Sequence, residues 1–592
     1  MKNLKEKKWI DQLLGKMNLE QKVGQMLVLG FCGPVITPDI VELIIKYHIG
    51  GLRISQKFRT MTLANDIKPG TEPDPNMLRS LRMPTGKCRD FAYSSQSTFC
   101  TAQEYAEILN KLRDFALERQ LGIGLHFTID QEGSACDDLL SNQRLFPHPM
   151  GYVAANDINL AYRSALCIAR QAHAVGANMI HSPVLDVNTN SKNPEIGTRA
   201  YSNDPAIVAK YALASMRGLH EGGLVATGKH FPGRGESDMD AHWGLPSVTL
   251  DLATLHKVHI APYRALIEAG LPAIMIAHCS YSAINGDKPA CVSSEIVTNI
   301  LRKDMGFDGV ITTDNLTMGG ILQRYEMAEA AVLAISAGCD LILCRDEGPI
   351  RYEIIDKIIK AVKSGYLKES QINESVHRIL KMRWNMGLTR NGGKVDAAKA
   401  GDLFSDPVVM NTAQEAANKS VLLLRDKTKL LPLQKNTKIL LIEQIFPTHA
   451  FANNMYSHPG LLWEQMCLHS DNVASIEIPY VPTDADLKRV LKRLPEAQVV
   501  VVTNYYYHKA ASSISNFVRE VKQVIPNSIV VTNTPYDFGA PADFDTVIAC
   551  FNPGAKEHMQ AVAEVIFGKL IPTARMPIKL SRHDDPKTAM KK

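Results

Sequence analysis

Short apolar runs recur along the chain up to Ile354, and each is followed by a longer segment whose apolar positions have helical spacing. All of these runs are rich in Val, Ile, Leu and Gly. We count eight of them, beginning at Val23, Gly50, Gly124, Ala177, Leu224, Pro272, Gly309 and Cys339. Near-continuous apolar strands separated by helices are typical of a parallel sheet covered on both faces. Eight such strands predict a closed (β/α)8 barrel of the TIM type.

The alternation is interrupted once, between the second and third runs. Residues 56–100 are rich in proline and polar side chains, and a connection of this length predicts a surface excursion such as a lid. Directly after it, Thr101 and Glu104 have the spacing of a capping box, which predicts a helix that continues through Glu118. We expect the barrel, with this insert, to occupy residues 1–390.

A second alternation of strands and helices begins near Val421. Its apolar runs start at Lys438, Ala474, Gln498, Ser528 and Asp545. This pattern predicts a smaller, open, doubly wound α/β sandwich domain over residues 421–592. No glycine-rich phosphate motif follows its first strand, so we predict no nucleotide site there. The looser stretch 391–420 is interpreted as a linker.

Composition narrows the class of protein. A chain of 592 residues is too long for one ordinary core, in agreement with two domains. Hydrophobic residues make up 45% and charged residues 21%, which is typical of a globular enzyme or binding protein and excludes a mostly disordered chain. The formal net charge of +5 is small for this length. We therefore expect no nucleic-acid partner.

The cysteines and the N-terminus indicate a cellular compartment. Eleven cysteines are scattered without C-x-x-C spacing, mostly inside apolar runs, and this odd number favours reduced thiols. The basic N-terminal segment is amphipathic where a signal peptide would be continuously apolar. No run of about eighteen apolar residues predicts a membrane span. We expect a cytoplasmic protein with no membrane partner and with neither a metal nor an organic cofactor; the sequence does not indicate an oligomeric state.

Polar side chains follow the predicted barrel strands at their C-terminal ends. They are Asp130, His181, Lys229, His230, His278, Asp314, Arg345 and Asp346. The carboxyl ends of parallel barrel strands meet on one face, where barrel enzymes form their active sites. One such residue alone would be an ordinary solvated loop residue. Their recurrence on six strands predicts a functional site on this face.

The segment 228–246, GKHFPGRGESDMDAHWGLP, has the highest density of reactive side chains. Asp240 and His242 lie two residues apart, so a turn allows the carboxylate to accept from one imidazole nitrogen. The other nitrogen can then transfer a proton. Together with Asp238 these residues could instead hold a metal, although no fourth ligand is evident nearby. A glycine-rich connector with solvated charges is the simplest alternative.

Two carboxylates at strand ends are further candidates. Asp314 follows the apolar run GVITT, and a carboxylate buried at a barrel mouth requires partners. Lys229 and neighbouring donors would keep it ionised, as a nucleophile requires. Asp130 follows another strand and could accept two sugar hydroxyls. For both residues the structural alternative is a helix cap.

Several longer segments resemble a known family. The chain resembles glycoside hydrolase family 3, and within it the β-N-acetylglucosaminidases of the NagZ type. The similarity runs in order over most of the chain. The matching segments are NLEQKVGQML from Asn18, IDQEG from Ile129, PVLDVNTNSKNPEIGTRAYSNDP from Pro183, KHFPGRGESDMDAH from Lys229, GFDGVITTDNLTMGG from Gly306, KSVLLLRD and LPL in the second domain, and GKLIPTARMP from Gly568.

The resemblance implies a retaining exo-β-N-acetylglucosaminidase acting on a small carbohydrate from cell wall or chitin. Asp314 would be the nucleophile, and Asp240 with His242 would form the acid/base dyad. Four residues would bind the nonreducing sugar, namely Asp130, Arg199, Lys229 and His230. Asp314 would form a covalent glycosyl-enzyme while His242 protonates the leaving oxygen and later activates water. This mechanism requires His242 and Asp314 to face one another across one sugar ring.

Three alternatives stay open at this point. A neutral imidazole base repels anions less than a carboxylate does, so phosphate could replace water in a β-N-acetylglucosaminide phosphorylase. A β-glucosidase or β-xylosidase of the same family is second, although those relatives usually lack the Asp-x-His pair. The third is a sugar-binding protein that has lost its activity.

Two substitutions depart from the family pattern. Asp138 stands where the family has the last arginine of a Gly-Arg-Val-x-Arg run, which contacts sugar hydroxyls. We expect Arg144, or Arg59 or Arg79 from the insert, to supply this contact unless the sugar itself differs. Arg234 stands where the family often has histidine, and because it lies in a turn we expect little effect from it.

Overall fold

The protein is described by a computed structural model that covers residues 2–56, 100–133, 137–139, 143–444, 460–506 and 514–579. Apart from Gln56 and Cys100 at its two ends, the predicted insert lies outside the described residues, and so do Arg59 and Arg79.

Eight parallel strands form a barrel in the order β10-β1-β2-β3-β4-β5-β7-β9. They are β1 Leu27–Cys32, β2 Gly51–Ser55, β3 His126–Ile129, β4 Met179–Ile180, β5 Val225–Phe231, β7 Ala273–Ile276, β9 Val310–Thr313 and β10 Ile342–Cys344. A bridge between Thr312 and Leu341 joins the last two strands, and Thr313 N donates to Leu341 O at 3.0 Å. The eight predicted runs and the barrel fold class are confirmed.

Two further strands form a small parallel pair above the barrel, β6 Ser247–Val248 and β8 Ser280–Tyr281. They are absent from the predicted strands, because two-residue strands are too short to give a periodic pattern. They connect the loop after β5 to the loop after β7 on the face where the strand ends meet.

Helices surround the barrel and bury their apolar faces against it. They are Lys2–Lys16, Leu19–Gln25, Pro38–Ile45, Ala102–Glu118, Pro149–Ala154, Ile158–Ala174, Pro205–Glu221, Leu252–Thr254, Ala261–Glu268, Gly319–Leu322, Met327–Ala337, Ile350–Lys363 and Glu369–Asn385, with π-helical turns Leu255–His259 and Glu295–Asp304. The predicted capping box is present: Glu104 N donates to Thr101 Oγ1 at 3.2 Å, and Thr101 N donates to Glu104 Oε2 at 2.8 Å. Within the described part of the chain, no helix is both long and apolar enough to cross a membrane.

The C-terminal region contains a six-stranded sheet in the order β11-β16-β15-β14-β12-β13. Its strands are β11 Leu422–Asp426, β12 Ile439–Gln444, β13 Val473–Ile478, β14 Val499–Asn504, β15 Ser528–Thr532 and β16 Thr546–Ala549. All pairings are parallel except that of β11 with β16. Separate apolar clusters cover the two faces of the sheet. The five predicted strands and the doubly wound arrangement are confirmed.

The helices of this second domain are Leu461–Cys467, Asp484–Arg493, Ser515–Val524 and Lys556–Ile566. Strand β11 was absent from the five predicted runs. Four of its five residues are only half-buried, which is typical of an edge strand and lacks the continuous apolar run of a central one.

The stretch interpreted as a linker is largely helical, since Pro407–Ser420 forms a helix whose first turn is capped by Asp406. Val409 and Ala413 pack into the core of the barrel, while Ala417 packs into the core of the second domain. This helix therefore connects the two hydrophobic cores. The predicted domain boundaries themselves stay a prediction.

The two domains also share buried contacts. Met150 and Ala154 of the barrel pack with Tyr536 and Phe551 of the second domain in one apolar cluster. Asn552 Nδ2 donates to Phe146 O at 2.7 Å. Because these contacts are buried, loops at the barrel mouth are supported from the second domain.

Candidate active site

Asp314 lies directly after β9, at the carboxyl end of the barrel, with 12% of its side chain exposed. Its Oδ1 accepts from Asn315 N at 2.7 Å. Its Oδ2 lies 3.7 Å from Arg234 Nη2 and 3.9 Å from His230 Nε2. These two separations exceed hydrogen-bond lengths. One carboxylate oxygen is thus oriented by the backbone, while the other faces two nitrogen-containing groups.

Asp240 and His242 form the hydrogen-bonded pair that their spacing predicted. His242 Nδ1 lies 2.7 Å from Asp240 Oδ1, which also accepts from His242 N at 2.8 Å. Burial, together with the charge of Glu195, raises the pKa of Asp240. The imidazole remains 20% exposed. One ring nitrogen is therefore oriented by the carboxylate while part of the ring is accessible from solvent.

The turn that contains His242 packs against the loop that follows Asp314. Gly319 N donates to His242 O at 3.2 Å, and Gly320 N donates to Ala241 O at 2.9 Å. A Cβ atom on Gly319 would lie 2.7 Å from His242 O, so only glycine permits this approach. The predicted nucleophile and the predicted dyad therefore lie on the same face of the barrel, on two loops in direct contact.

Glu195 lies behind the dyad, and the sequence analysis did not identify it. Its Oε1 is 3.4 Å from His242 Nδ1, and its Oε2 accepts from Ala241 N at 3.0 Å. Burial would raise the pKa of Glu195, but the charge of Arg234 and the bond to His242 hold it well below its usual range. Glu195 lies within the PEIGTR motif, and the family resemblance assigned a role only to Arg199 of this motif.

Arg234 joins the two halves of the site, although its place in a turn led to the expectation of little effect. The residue is 1% exposed, and its Nη2 lies 2.9 Å from Glu195 Oε1 and 3.7 Å from Asp314 Oδ2. The turn folds back into the barrel mouth because Arg234 N donates to Asp186 Oδ1 at 2.8 Å. A position in a turn therefore did not imply exposure, and Arg234 places a positive charge between nucleophile and dyad.

Asp130 and Lys229 are brought together on the opposite side of the mouth. Lys229 Nζ donates to Asp130 Oδ1 at 2.9 Å, and His181 Nδ1 lies 3.4 Å from the same oxygen. Burial would raise the pKa of Asp130, but the charges of Arg53 and Lys229 hold it well below its usual range. With 26% of its side chain exposed, this ionised carboxylate can accept hydroxyl protons.

Arg53 compensates for the charge reversal at Asp138. This fully buried residue of β2 forms short ion pairs with both Asp130 and Asp138, and Arg345 Nη2 lies 3.8 Å from Asp138 Oδ1. Burial opposes the charge of Arg53, but the two carboxylates outweigh this effect and raise its pKa. Arg53 lies in the interior of a strand, and the sequence pattern did not indicate that its guanidinium pairs with Asp138.

Arg144 does not supply the contact expected of it. Its Nη1 lies 3.0 Å from Glu557 Oε1 in the second domain, and its Nε donates to Phe404 O at 3.1 Å. The expectation for Arg144 is therefore wrong, because its side chain bridges the domains. The insert residues Arg59 and Arg79 lie outside the described residues.

Arg199 and Lys229 share a carboxylate that the sequence analysis missed. Arg199 is the last residue of the short helical turn Gly197–Arg199, and its Nε and Nη2 donate to Glu132 at 2.9 and 3.1 Å. Lys229 forms a short ion pair with the same carboxylate. Burial would raise the pKa of Glu132, but these two cations lower it to about 2. Glu132 lies within the IDQEG motif, where only Asp130 was considered.

His230 is oriented by Asp186, another residue without a predicted role. Its Nδ1 lies 2.7 Å from Asp186 Oδ2. Burial and the nearby charge of Arg234 lower the pKa of His230 well below its usual range, so the ring is neutral. Because the carboxylate accepts from Nδ1–H, Nε2 has the lone pair and points towards Asp314 at 3.9 Å.

Among the described residues, Glu195, Asp240 and His242 are close enough to hold a metal ion. Asp238, the third ligand considered from sequence, is exposed and outside this set. Arg234 Nη2 already lies 2.9 Å from Glu195 Oε1, so a positive charge occupies one side of the group. This donor set is better suited to orienting an imidazole than to binding a second cation.

Comparisons with known proteins identify the family of the chain. The model of the N-terminal domain of glycosyl hydrolase family 3 matches residues 18–382. The chain belongs to this family. It is therefore a glycoside hydrolase, and its family resemblance is confirmed.

Three relatives illustrate the family match. β-Hexosaminidase A of Pseudoalteromonas piscicida is 26% identical over 483 residues, covering 73% of each chain. A β-N-acetylglucosaminidase/β-glucosidase of Cellulomonas fimi is 29% identical over 445 residues, covering 72% of this chain and 68% of its own. The solved structure of a family 3 β-N-acetylglucosaminidase from Paenibacillus sp. FPU-7 has a TM-score of 0.81 at 27% identity, covering 95% of this chain and 99% of its own. The names of all three include a β-hexosaminidase or β-N-acetylglucosaminidase, and the name of the Cellulomonas fimi protein also includes β-glucosidase.

Proposed function

We propose that the protein is a retaining exo-β-N-acetylglucosaminidase that removes terminal β-linked N-acetylglucosamine from short oligosaccharides of cell-wall or chitin origin. The names of the relatives support the β-hexosaminidase type. The observation that carries the proposal is the contact between the His242 turn and the loop after Asp314. It favours an imidazole that acts on the same glycosidic bond as the carboxylate.

The proposed nucleophile is Asp314 Oδ2, which faces Arg234 and His230. The positively charged Nη2 of Arg234 lies 3.7 Å from this oxygen, and attack on the anomeric carbon requires the carboxylate form of Asp314. Attack breaks the glycosidic bond and forms a glycosyl-aspartate ester. The electrons of the broken bond pass to the leaving oxygen, which needs a proton at the same moment.

His242 is the proposed source of that proton. Its Nδ1 contacts two carboxylates, Asp240 at 2.7 Å and Glu195 at 3.4 Å, and their negative charge stabilises the imidazolium before transfer. After transfer the neutral ring accepts a proton from water, which hydrolyses the ester with net retention.

The nonreducing sugar is proposed to lie between Asp314 and the ion pairs of the opposite side. The Asp130 carboxylate can accept hydroxyl protons, while Lys229 and Arg199 can donate to sugar oxygens. His230 Nε2 can accept from a hydroxyl near the attacked carbon. The buried ion pairs fix these groups in advance, so little ordering is needed when the sugar binds.

We also propose a cytoplasmic location with a role in recycling cell-wall fragments. The support is that Cys167, Cys279, Cys291, Cys339 and Cys550 are buried free thiols, as in proteins of reducing compartments.

The deciding experiment measures nitrophenol release from the β-N-acetylglucosaminide and the β-glucoside, each with and without phosphate. Hydrolysis of the N-acetylglucosaminide without phosphate is the expected result. Turnover only with phosphate would establish a phosphorylase, and preference for the glucoside would establish a β-glucosidase. No turnover with measurable binding of N-acetylglucosamine would leave a sugar-binding protein.

A further inference from the structure

Two tyrosines of the second domain contact the barrel segment that leads to Glu195. Tyr506 Oη donates to Pro194 O at 2.7 Å. Tyr536 Oη accepts from Asn188 Nδ2 at 2.7 Å. The second domain therefore contacts both ends of residues 188–194, which belong to the loop after β4.

Tyr506 is itself firmly positioned. It follows β14, and its backbone N–H donates to Asn533 Oδ1 at 2.8 Å while its carbonyl accepts from Asn533 Nδ2 at 2.7 Å. Its ring centroid lies 4.3 Å from that of Phe538. Burial and the charges of Asp240 and Glu195 raise its pKa, so the phenol is neutral and remains a hydrogen-bond donor.

Glu195 directly follows Pro194 in the chain, so the contact at Pro194 affects the position of Glu195 beside the dyad. Glu195 N donates to Asn193 Oδ1 at 3.0 Å, and Asn193 Nδ2 donates to Arg234 O at 2.9 Å. The Glu195 carboxylate then contacts Arg234, Ala241 N and the His242 ring. A shift of the Pro194 carbonyl would therefore displace the carboxylate behind His242.

We propose that Tyr506 is a positioning residue for the acid/base dyad, through which the second domain determines where Glu195 lies behind His242. Through Tyr506, a residue that contacts the barrel backbone at Pro194, the second domain thus takes part in catalysis. This inference rests on the proposed function, because it assigns His242 the acid/base role.

The test compares Tyr506→Phe with Tyr505→Phe. Tyr505 is the adjacent buried tyrosine, and its Oη lies 3.5 Å from Met559 Sδ inside the second domain, so both variants remove one buried hydroxyl. For Tyr506→Phe we expect kcat to fall roughly fivefold on N,N′-diacetylchitobiose, the effect of losing about one net hydrogen bond. The nitrophenyl substrate, whose leaving group needs no proton, should change less than about twofold.

The pH dependence of kcat distinguishes a positioning role of Tyr506 from structural support alone. If Glu195 withdraws from His242, the imidazolium loses stabilisation, so the basic limb of the kcat profile on the disaccharide should move to lower pH. Tyr505→Phe should leave this limb in place. Tyr536→Phe, which alters the other end of the segment, should move it in the same direction by a smaller amount.

Two outcomes would overturn the inference. One is a Tyr506→Phe profile identical to that of Tyr505→Phe. The other is an equal loss on both substrates without a shift in pH dependence, which would indicate structural support alone. Failure of the proposed function is a separate result, since the unsubstituted protein would then not hydrolyse either N-acetylglucosaminide.

Discussion

On one side of the barrel mouth, charged side chains arise from β2, the end of β3 and β5 and pair with one another inside the protein. Arg53, Asp130, Glu132 and Lys229 belong to this group. On the other side, the His242 turn and the loop after Asp314 are joined by backbone hydrogen bonds and by Arg234. The sugar side is thus a set of buried ion pairs on strands and at strand ends, whereas the acid/base side combines a contact between two loops with the buried Arg234–Glu195 ion pair.

This difference agrees with the roles proposed for the sugar side and the acid/base side. A sugar held by several hydroxyls needs donors and acceptors at constant positions, which strands provide. An imidazole that gives up a proton and takes one back needs access to solvent, and His242 keeps 20% of its side chain exposed. Substitutions on the two sides should therefore have different signatures in stability and in kinetics.

The largest effect is expected from Asp314→Ala, which removes the proposed nucleophile between the two sides. Turnover should fall by about 10,000-fold or more while N-acetylglucosamine still binds, because the ion pairs of the sugar side remain. Steady-state kinetics and calorimetric titration measure the two quantities. Asp308→Ala, at the exposed start of the same strand region, is the matched control, and substantial residual hydrolysis by Asp314→Ala would contradict the assignment.

His242→Ala should impair acid/base catalysis and leave the sugar side intact. Substrates with poor leaving groups should lose roughly 100- to 10,000-fold in kcat, because general acid catalysis has this magnitude. Activated aryl glycosides should lose far less, because their leaving group needs no proton. His256→Ala, on the outer helical layer, serves for comparison. Equal losses on both substrates would argue against the acid role.

Lys229→Met should disrupt the ion pairs of the sugar side. It should lower both the stability of the protein and its affinity for the sugar. The substitution leaves Asp130 and Glu132 with one cation fewer in a buried site, at a cost of about 3 to 5 kcal/mol in the free energy of unfolding. KM should rise at the same time. Chemical denaturation compared with that of Lys360→Met, an exposed lysine, measures the effect. A stability loss no greater than that of the control would show that the ion pairs are not needed.

The dependence of protein stability on acid pH should test the buried groups of the site without any substitution. The folded pKa of Glu132 is about 2 against an ordinary value of 4.5, so its contribution is complete above pH 4.5 and is lost as pH falls towards 2. Buried His148, with a folded pKa of about 4 against 6.5, adds a loss between pH 6.5 and 4. The free energy of unfolding should therefore fall continuously below pH 6.5, and a flat profile down to pH 4 would contradict these shifts.

The smallest effect is expected from Arg144→Ala. Its pair with Glu557 is partly exposed, so the loss of unfolding free energy should stay below about 1 kcal/mol. KM for the N-acetylglucosaminide should remain within about twofold, since Arg53 compensates for Asp138. A large rise in KM would restore Arg144 as a sugar contact.

Much of the architecture could be predicted because it is encoded in local patterns. Each apolar run specified a buried strand, and the polar residue after it specified what stands at the barrel mouth, as for Asp130 and Asp314. The Asp240–His242 pair was predictable because two residues of spacing suffice for a hydrogen bond. The family motifs then indicated which strand ends act together.

The missed residues share one property, namely that their partners are distant in sequence. Glu195 contacts His242 from a loop 47 residues earlier, and Arg53 reaches Asp130 from a neighbouring strand. Arg234 was misjudged because a turn usually exposes its side chains. No periodic pattern indicates such pairings, since they depend on which strand ends become neighbours when the barrel closes.

The sequence by itself determined the eight barrel strands, the residues at their ends and the dyad, because hydrophobic periodicity and short-range hydrogen bonding act over a few residues. Only the tertiary structure decided that Arg53 compensates for Asp138, that Arg234 lies between Asp314 and Glu195, and that Tyr506 contacts the same segment from the second domain. Ion pairs and buried hydrogen bonds depend on distance through space, and that distance exists only once the chain has folded.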